Sequence, residues 1–340
     1  MSKTNTAHPL AEQPLSALSL NEWFSYEDDA FVSLKKLPAK TQGLFSIAFA
    51  GNFNIEHIKN IVKFFAEHNQ IVTALCRYQP DLGLAPALCF YTQHDDEIIS
   101  PAILQAFASQ LDCQLVQIAC PPSLSEPGLL VMDMDSTAIT IECIDEIARL
   151  ANVYDEVASV TAQAMAGKLD FSDSLNQRVA KLAGIETRLV EELQNSLPLM
   201  PGIKVLCQVL KHHNWYLAIA SGGFTPFAER VKTLINLDEV HANELEFKEG
   251  KLTGKVLGQI VDAEQKAIIL TSLQQKLGLE KNQTVAIGDG ANDLKMIAKA
   301  GLGVAIHGKA QVIEQAPAAI VQGSLLQLLY MLAIPFDKTA

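Results

Sequence analysis

The chain has 340 residues, 49% of them hydrophobic and 19% charged, a balance typical of globular proteins and a length sufficient for two domains. With 26 Lys and Arg against 38 Asp and Glu, the formal net charge is −12, which disfavours binding to nucleic acid through a basic patch. Apolar runs fall short of the roughly 18 residues of a membrane span, and residues 1–14 lack the pattern of a secretory signal. The six cysteines are scattered without a paired motif, so we expect reduced thiols in a cytoplasmic protein.

Residues 1–43 are polar and irregular, and we interpret them as an N-terminal extension. Beyond them, short apolar runs predict four strands, and helical spacing of apolar residues predicts two helices. In chain order these segments are 44–50 (strand), 55–68 (helix), 70–77 and 87–92 (strands), 99–111 (helix) and 114–119 (strand). The order β-α-β-β-α-β predicts an α+β ferredoxin-like domain over residues 44–122. It resembles the ACT type of small regulatory domain, which implies amino-acid sensing or a homodimer formed through this domain.

A proline-rich linker, Pro121–Gly128, precedes a second region in which strands and helices alternate. Four short apolar runs, each followed by a loop and a helical pattern, predict the parallel strands of a Rossmann-like α/β core. They are Leu129–Met132, Tyr216–Ala220, Thr284–Ile287 and Leu302–Ile306. Between the first two runs, helical periodicity continues without a strand candidate. We therefore expect a core formed by residues 128–142 and 201–340, with an inserted helical cap over residues 143–200.

Two aspartates, Asp133 and Asp135, follow the carboxyl end of the first of these strands, where open α/β sheets bind their ligands. One carboxylate there can attack phosphorus while the other holds a proton for the leaving group. An acidic N-cap for the next helix is the structural alternative. Because two neighbouring acids are costly to hold together without a cation, we favour the functional interpretation.

A hydroxyl–glycine turn, Ser221-Gly222-Gly223, ends the second strand, and Lys266 lies early in a helical pattern. The backbone N–H groups of such a turn form a phosphate cradle, and a lysine ammonium binds phosphate oxygens as a point charge. Each feature has a structural alternative, which is a tight strand-to-helix turn for the glycines and a solvated helix surface for the lysine.

A second acid pair, Asp289 and Asp293, follows the third strand in a Gly-rich turn that also carries Asn292. Oxygen ligands of this kind suit Mg²⁺, which takes one or two carboxylates together with substrate phosphate. Capping alone explains the turn less well, because the segment holds more acids and polar side chains than a cap needs.

In chain order, the acid pair, the hydroxyl–glycine turn, the lysine and the second acid pair resemble the four motifs of the haloacid dehalogenase superfamily of phosphohydrolases. Two segments in and before the expected cap, 133–147 and 171–179, are more specifically similar to the phosphoserine phosphatase family. In that family, residues at the positions of Glu142 and Arg178 hold the ammonium and carboxylate of the substrate. Met165 and Phe171 match the family's apolar lid residues.

The resemblance implies a Mg²⁺-dependent hydrolysis of phosphoserine, the last step of serine biosynthesis. Asp133 is then the nucleophile and Asp135 the general acid and base, and Mg²⁺ is held by Asp133, Asp289 and the carbonyl of Asp135. The resemblance also implies that phosphate is bound by Ser221, Gly222, Gly223 and Lys266, and that Asn292 contacts the phosphate or the substrate. Asp293 would act from behind these groups, by orienting Lys266 or a water molecule bound to the metal. The sequence departs from the family at Met134 and Cys143, which carry none of these roles.

Three alternatives stay open at the level of sequence. The aspartyl-phosphate could pass to an alcohol such as homoserine instead of water. The substrate could be another small phosphate ester, in which case activity would depend weakly on Glu142 and Arg178. A third interpretation assigns the main function to the N-terminal half, as an amino-acid-sensing or dimerising module.

Overall fold

The computed structural model describes residues 8–9, 15, 18–27, 30–34, 37, 43–94 and 98–335. Two seven-stranded sheets organise this part of the chain. The first is antiparallel and lies in the N-terminal third, and the second is mainly parallel and lies in the remainder. Within the ranges just given, none of the helices combines the length and apolarity that a membrane crossing requires.

The N-terminal sheet has the strand order β1-β3-β2-β5-β6-β4-β7. Its strands are β1 (His8–Pro9), β2 (Glu22–Glu27), β3 (Ala30–Leu34), β4 (Gly43–Phe49), β5 (Gln70–Tyr78), β6 (Ala87–His94) and β7 (Gln114–Ile118). Helices α1 (Ile55–Glu67) and α2 (Pro101–Gln110) connect β4 to β5 and β6 to β7. The unit from β4 to β7 therefore has the predicted β-α-β-β-α-β order, with β4 and β6 in the middle of four antiparallel strands. The expectation of a ferredoxin-like α+β fold is confirmed.

A β-hairpin lies in the segment that the sequence indicated to be irregular. Strand β2 pairs with β3 and also extends the sheet beyond β5, with Trp23 opposite Cys76. Trp23 and Phe24 are both buried, Trp23 in the apolar cluster shared with the second sheet and Phe24 toward the helices. The hairpin escaped prediction because residues 22–27 show neither a strict polar–apolar alternation nor a continuous apolar run.

The two faces of the N-terminal sheet are covered differently. Helices α1 and α2 cover one face, where residues such as Phe65 and Phe90 form an apolar cluster. The C-terminal segment 325–335 covers the other face. Its Tyr330 accepts a hydrogen bond from Tyr78 Oη at the backbone carbonyl (2.5 Å) and donates from its own Oη to the Ala85 carbonyl (2.7 Å). The two sheets are thus joined through one continuous apolar cluster.

The second sheet has the order β11-β10-β9-β8-β12-β13-β14. Its strands are β8 (Leu129–Met132), β9 (Tyr216–Phe224), β10 (Glu239–Lys248), β11 (Lys251–Leu257), β12 (Thr284–Gly288), β13 (Leu302–Ile306) and β14 (Ala318–Ile320). Every neighbouring pair is parallel except β10 with β11. The chain reverses its direction of winding between β8 and β12, which is the switch point where doubly wound sheets bind ligands. The predicted Rossmann-like core is confirmed.

Four of the helices between β8 and β9 lie at the predicted position of the cap. They are α3 (Cys143–Leu150), α4 (Tyr154–Met165), α5 (Phe171–Ala180) and α6 (Thr187–Asn195). The hairpin of β10 and β11 docks on this cap through main-chain hydrogen bonds. Gly184 N–H donates to the Leu252 carbonyl (2.8 Å), and Leu252 N–H donates to the Ile185 carbonyl (2.8 Å). The hairpin therefore contacts the cap directly.

The helices that follow the cap flank the parallel sheet. They are α7 (Ile203–His212), α8 (Thr225–Ile235), α9 (Ala263–Leu277), α10 (Leu294–Lys299), α11 (Ala310–Gln315) and α12 (Leu329–Leu332), with 3-10 turns at Lys281–Gln283, Ala291–Asp293 and Leu325–Leu328. Helix α9 begins with a side-chain cap, since Asp262 Oδ1 accepts the N–H of Gln265 at 2.9 Å. This cap fixes the start of the helix that carries Lys266.

Candidate active site

The predicted motif residues meet at the carboxyl ends of β8, β9 and β12. Asp133 directly follows β8, and its N–H donates to the Ile287 carbonyl at 2.9 Å, so it continues the pairing with β12. Ser221 lies on β9, which pairs with β8 on its other side. Asp289 directly follows β12. The topology of the parallel sheet alone brings these three chain segments to one edge.

Lys266 lies between two aspartates in the interior of this site. Its side chain is 0% exposed, and its Nζ lies 2.7 Å from Asp133 Oδ2 and 2.7 Å from Asp293 Oδ1. Burial lowers the pKa of Lys266, but the two carboxylates outweigh this effect and raise its pKa above the ordinary value. Lys266 is therefore a fixed positive charge beside Asp133.

Asp133, Asp289 and Asp293 form an acidic cluster, with one carboxylate oxygen from each lying within 4.8 Å of the others. Burial, together with the charges of Asp133 and Glu142, raises the pKa of Asp289 to about 6. Thr137 donates to Asp289 Oδ1 at 3.2 Å. One lysine offsets the charge of three carboxylates only in part, so the donor set fits a divalent cation that prefers oxygen ligands.

The oxygens of the cluster are not equally available to a cation. Asp293 Oδ1 accepts from Lys266, and its Oδ2 accepts the N–H of Gly290 at 3.0 Å. Both oxygens of Asp293 are thus held by the protein. Asp289 has a single hydrogen-bond partner among the described residues, which is Thr137. Asp133 likewise has both oxygens engaged, since Oδ1 accepts the N–H of Met134 at 2.7 Å and Oδ2 lies 2.7 Å from Lys266 Nζ. Of the three carboxylates, Asp289 is therefore the best placed for direct binding of a cation.

Asp135 lies beside the glycine turn and is partly buried. Its Oδ1 accepts the N–H of Cys143 at 3.4 Å. Burial, followed by the charges of Glu142 and Asp133, raises the pKa of Asp135 well above its ordinary value. A raised pKa favours the protonated form, which is the form that a general acid needs.

The glycine turn, Ser221–Gly223, lies within the last part of β9, because this strand continues to Phe224 and does not end at Ala220 as predicted. It lies against Asp135 on one side and the cap on the other. Gly223 N–H donates to Ser221 Oγ at 3.0 Å. A Cβ added at Gly223 would lie 2.7 Å from Asp135 Oδ2, and one added at Gly222 would lie 2.8 Å from Cζ of Phe171. Only glycine leaves room for these approaches, so the turn is built for close contact with its neighbours.

The cap contributes Phe171 and Arg178 to the rim of the site, and Glu142 lies directly before the cap. The Phe171 ring contacts Gly222, as its distance from a Cβ there indicates. Glu142 Oε1 accepts from Ser136 Oγ at 2.7 Å. Burial lowers the pKa of Arg178, while the charges of Asp145, Glu142 and Asp135 raise it. The side chain of Met165 lies outside the described residues.

Asn292 lies on the turn between the two acids of the second pair. A Cβ added at Gly290 would be 2.2 Å from Asn292 Oδ1, so the amide folds back over this glycine. The structure thus brings Asn292 to the same loop as Asp289 and Asp293.

Three residues without an assigned role at the level of sequence support this arrangement. Ser136 has a left-handed backbone (φ 55°) and binds Glu142, and the fully buried Thr137 binds Asp289. Asn243 on β10 binds the Gly222 carbonyl. Ser136 and Thr137 are part of the first motif and so were visible in the sequence. No pattern in the sequence singles out Asn243.

Comparisons with known proteins agree with this geometry. A family model described as haloacid dehalogenase-like hydrolase matches residues 130–298. The phosphoserine phosphatase of Vibrio cholerae is 50% identical over 210 residues, which cover 62% of this chain and 64% of that protein. The phosphoserine phosphatase of Haemophilus influenzae is 46% identical over 227 residues, which cover 67% of this chain and 72% of that protein.

Solved structures extend the similarity over both sheets. The crystal structure of a probable phosphoserine phosphatase from Vibrio cholerae, in unliganded form, superposes with a TM-score of 0.70 at 38% identity and covers 88% of each chain. A substrate-bound phosphoserine phosphatase complex superposes with a TM-score of 0.58 at 37% identity, covering 61% of this chain and 99% of that one. By sequence, by fold and by the residues gathered at β8, β9 and β12, this chain belongs to the phosphoserine phosphatase family of haloacid dehalogenase-like hydrolases.

Proposed function

We propose that this protein is a Mg²⁺-dependent phosphatase that hydrolyses O-phospho-L-serine to L-serine and phosphate, the last step of serine biosynthesis. The observation that carries the proposal is the placement of Asp133, 2.7 Å from the fully buried ammonium of Lys266, with Asp135 two residues further on beside the glycine turn. A candidate nucleophile, a fixed positive charge and a carboxyl group with a raised pKa then lie together at one edge of the sheet.

The reaction proceeds in two displacements at phosphorus. A carboxylate oxygen of Asp133 forms a bond to phosphorus while the bond from phosphorus to the serine oxygen breaks, which leaves an aspartyl-phosphate. Asp135 donates its proton to the departing oxygen, consistent with the raised pKa of this carboxyl group. Asp135 then takes a proton from the water that attacks phosphorus and releases Asp133.

The charges around phosphorus are balanced by groups on each side. Ser221, the N–H groups of Gly222 and Gly223, and Lys266 bind the phosphoryl oxygens. Asp133, Asp289 and the carbonyl of Asp135 would hold Mg²⁺, which supplies positive charge to the phosphoryl oxygens when bound. Asp293 acts through Lys266 and the Gly290 N–H, as its two hydrogen bonds support. Asn292 contacts the phosphate or the substrate from the same loop.

The cap supplies selectivity for an amino acid. Arg178 binds the carboxylate of phosphoserine and Glu142 its ammonium, since a zwitterion needs one cation and one anion set apart. Phe171 covers the glycine turn, and Met165 completes the apolar lid. The substrate-bound complex that this chain resembles supports phosphoserine as the ligand.

We also infer a cytoplasmic enzyme, which the free cysteines support because all but Cys120 are buried. Division of the chain into an extension (1–43), an ACT-like domain (44–122), a core and a cap (143–200) stays a prediction. A homodimer formed through the N-terminal domain also stays a prediction, which sedimentation of the full chain would test.

The first experiment measures phosphate release from L-phosphoserine with Mg²⁺ and with EDTA, using wild type beside Asp133→Asn. We expect turnover that requires the metal and that Asp133→Asn abolishes, whereas the exposed cap substitution Asp155→Asn leaves it unchanged. Activity that survives Asp133→Asn would rule out the proposed nucleophile.

The substrate assignment is tested on the cap. Because an ionic hydrogen bond contributes about 1.5–3 kcal/mol, Arg178→Ala should raise KM for phosphoserine by about 10- to 100-fold. Hydrolysis of p-nitrophenyl phosphate, which lacks the amino-acid group, should stay within about two-fold of wild type. Arg188→Ala is the matched control, because Arg188 is an exposed cap arginine paired with Glu192. Equal losses with both substrates would contradict the assignment of Arg178 to the carboxylate.

A further inference from the structure

Asn243, a residue of β10 outside the four motifs, connects two loops of the site. Its side chain is buried, with 1% of the residue exposed. Nδ2 donates to the Gly222 carbonyl at 2.8 Å, and Oδ1 accepts the N–H of Val261 at 2.8 Å. Gly222 belongs to the glycine turn, and Val261 precedes the helix that carries Lys266. One buried amide therefore bonds to both segments that present phosphate-binding groups.

The strand register explains why an amide is needed at this position. Ala220 pairs with His241, but Phe224 pairs with Asn243, so three residues of β9 stand opposite a single residue of β10. In such a bulge, backbone N–H and C=O groups lose their hydrogen-bond partners on the neighbouring strand. A buried carbonyl without a hydrogen-bond donor is energetically unfavourable. The Nδ2 group of Asn243 supplies the donor that the Gly222 carbonyl has lost.

The bond to the carbonyl also sets the direction of an N–H group. The carbonyl of Gly222 and the N–H of Gly223 belong to one planar trans peptide, in which they point in opposite directions. Because Asn243 holds the carbonyl on the β10 side, the N–H of Gly223 faces away from β10. There it donates to Ser221 Oγ at 3.0 Å, with Asp135 against the same glycine.

The second bond of Asn243 acts on the other loop. Val261 is followed by Asp262, whose side chain caps α9, and Lys266 N–H donates to the Asp262 carbonyl at 3.0 Å. Fixing the N–H of Val261 thus fixes the start of the helix turn on which Lys266 stands. The carbonyl of Asn243 is itself held, since Thr225 Oγ1 donates to it at 3.1 Å.

We propose that Asn243 is a positioning residue. It orients the Gly222–Gly223 peptide toward the phosphoryl group and fixes the position of the glycine turn relative to Lys266. The proposal rests on the proposed phosphatase function for the identity of the bound group. It assigns to Asn243 no direct contact with substrate, and the effect passes through the backbone of the turn.

The test uses two substitutions in the full-length, Mg²⁺-supplemented protein. Asn243→Asp keeps an oxygen for the Val261 N–H but replaces the donor with an oxygen that repels the Gly222 carbonyl, and Asn243→Leu removes both bonds at similar size. Removing one donor from an oxyanion site lowers kcat by about 10²–10³. In Asn243→Asp the N–H of Gly223 is still present but points in another direction. We therefore expect a smaller fall in kcat, by about 10- to 100-fold. The inhibition constant of orthovanadate should rise by about the same factor.

A purely structural role predicts a different result. Such a residue would lower Tm but leave kcat and orthovanadate inhibition unchanged in protein that is still folded at the assay temperature, and this result would overturn the proposal. Circular dichroism establishes that each variant is folded. Asn282→Asp, which makes the same change at an exposed position, is the matched control and should behave as wild type.

Using p-nitrophenyl phosphate as a second substrate separates this proposal from the proposed function. If wild type hydrolyses the aryl ester but not phosphoserine, the substrate assignment fails, while a loss in Asn243→Asp with the aryl ester still supports the positioning role. If wild type hydrolyses neither ester, calorimetry with orthovanadate decides. Weaker binding to Asn243→Asp than to wild type supports the role, and equal binding overturns it.

Discussion

The two seven-stranded sheets of this molecule bury polar groups in opposite ways. In the N-terminal sheet the buried side chains of Ser46, Gln70 and Gln117 are neutral and hydrogen-bond with one another. Gln117 Nε2 donates to Gln70 Oε1 (2.7 Å) and to Ser46 Oγ (2.9 Å), and Gln117 Oε1 accepts the N–H of Ile99 (3.0 Å). The parallel sheet instead buries a charged cluster at its strand ends, where Lys266 pairs with Asp133 and Asp293 and the carboxylate of Asp289 lies close to both acids.

The difference shows how a structural network can be told from a reactive site. A neutral network with a partner for each group fixes the fold and leaves nothing for a ligand to complete. A cluster with excess negative charge is unfavourable by itself and becomes favourable when a cation binds to it. Substitutions in the two networks should therefore have different effects on activity and stability.

The largest effect is expected at Lys266, because both the stability and the activity of the protein depend on this side chain. Lys266→Met removes the cation and leaves Asp133 and Asp293 buried without it, which should lower the free energy of unfolding by about 3–5 kcal/mol. The same change removes a charge from the phosphoryl site and should lower kcat by about 10²–10³. Lys276→Met on the same helix is the control, since Lys276 pairs with Glu239 at the surface. Urea unfolding and steady-state kinetics measure the two effects, and an unchanged kcat would contradict the charge assignment.

Metal binding gives the next largest effect, and it should be confined to the charged network. Mg²⁺ at about 100 times its dissociation constant stabilises the folded state by about 2.7 kcal/mol, because it binds only where the carboxylates are assembled. We expect a rise in Tm with Mg²⁺ that Asp289→Asn removes. Thermal unfolding with Mg²⁺ and with EDTA measures this rise. A full Mg²⁺ response in Asp289→Asn would place the metal elsewhere.

The neutral network should respond in stability alone. Gln117→Leu leaves buried groups of Gln70 and Ser46 and the N–H of Ile99 without this partner, so we expect a loss of about 1–3 kcal/mol in the free energy of unfolding. Folded protein should keep the wild-type kcat. Gln110→Leu, at an exposed position of α2, is the matched control. A fall in kcat comparable to that of Lys266→Met would contradict the claim that the neutral network affects stability alone.

Much of the fold was predictable where burial leaves a continuous pattern. Strands β8 and β13 begin and end where the sequence predicted, because parallel strands covered on both faces are continuous apolar runs. Strand β14 has only three residues and too little sequence to show a pattern. The hairpin of β2 and β3 depends on contacts with β5 and the C-terminal segment, which are distant in sequence.

The site was predictable to the extent that it depends on strand ends. The acid pairs and the glycine turn lie at strand ends that the topology brings together, so their chemistry could be inferred from position alone. The contact between Thr137 and Asp289 joins residues 152 positions apart and requires coordinates. The role of Asn243 depends on a register shift between two strands, which leaves no signal in the sequence of either.

The smallest effect is expected where the two sheets meet. Tyr330→Phe removes the hydrogen bond from Tyr330 Oη to the Ala85 carbonyl but keeps the ring in the shared apolar cluster. A single neutral hydrogen bond contributes about 1 kcal/mol, so the free energy of unfolding should fall by about that amount with kcat unchanged. Tyr78→Phe removes the neighbouring bond to the Tyr330 carbonyl and serves as the comparison. One cooperative transition in urea, shifted by each substitution, means that the two sheets unfold together. Two transitions, with only the N-terminal one shifted, would mean that the contact carries too little energy to couple them.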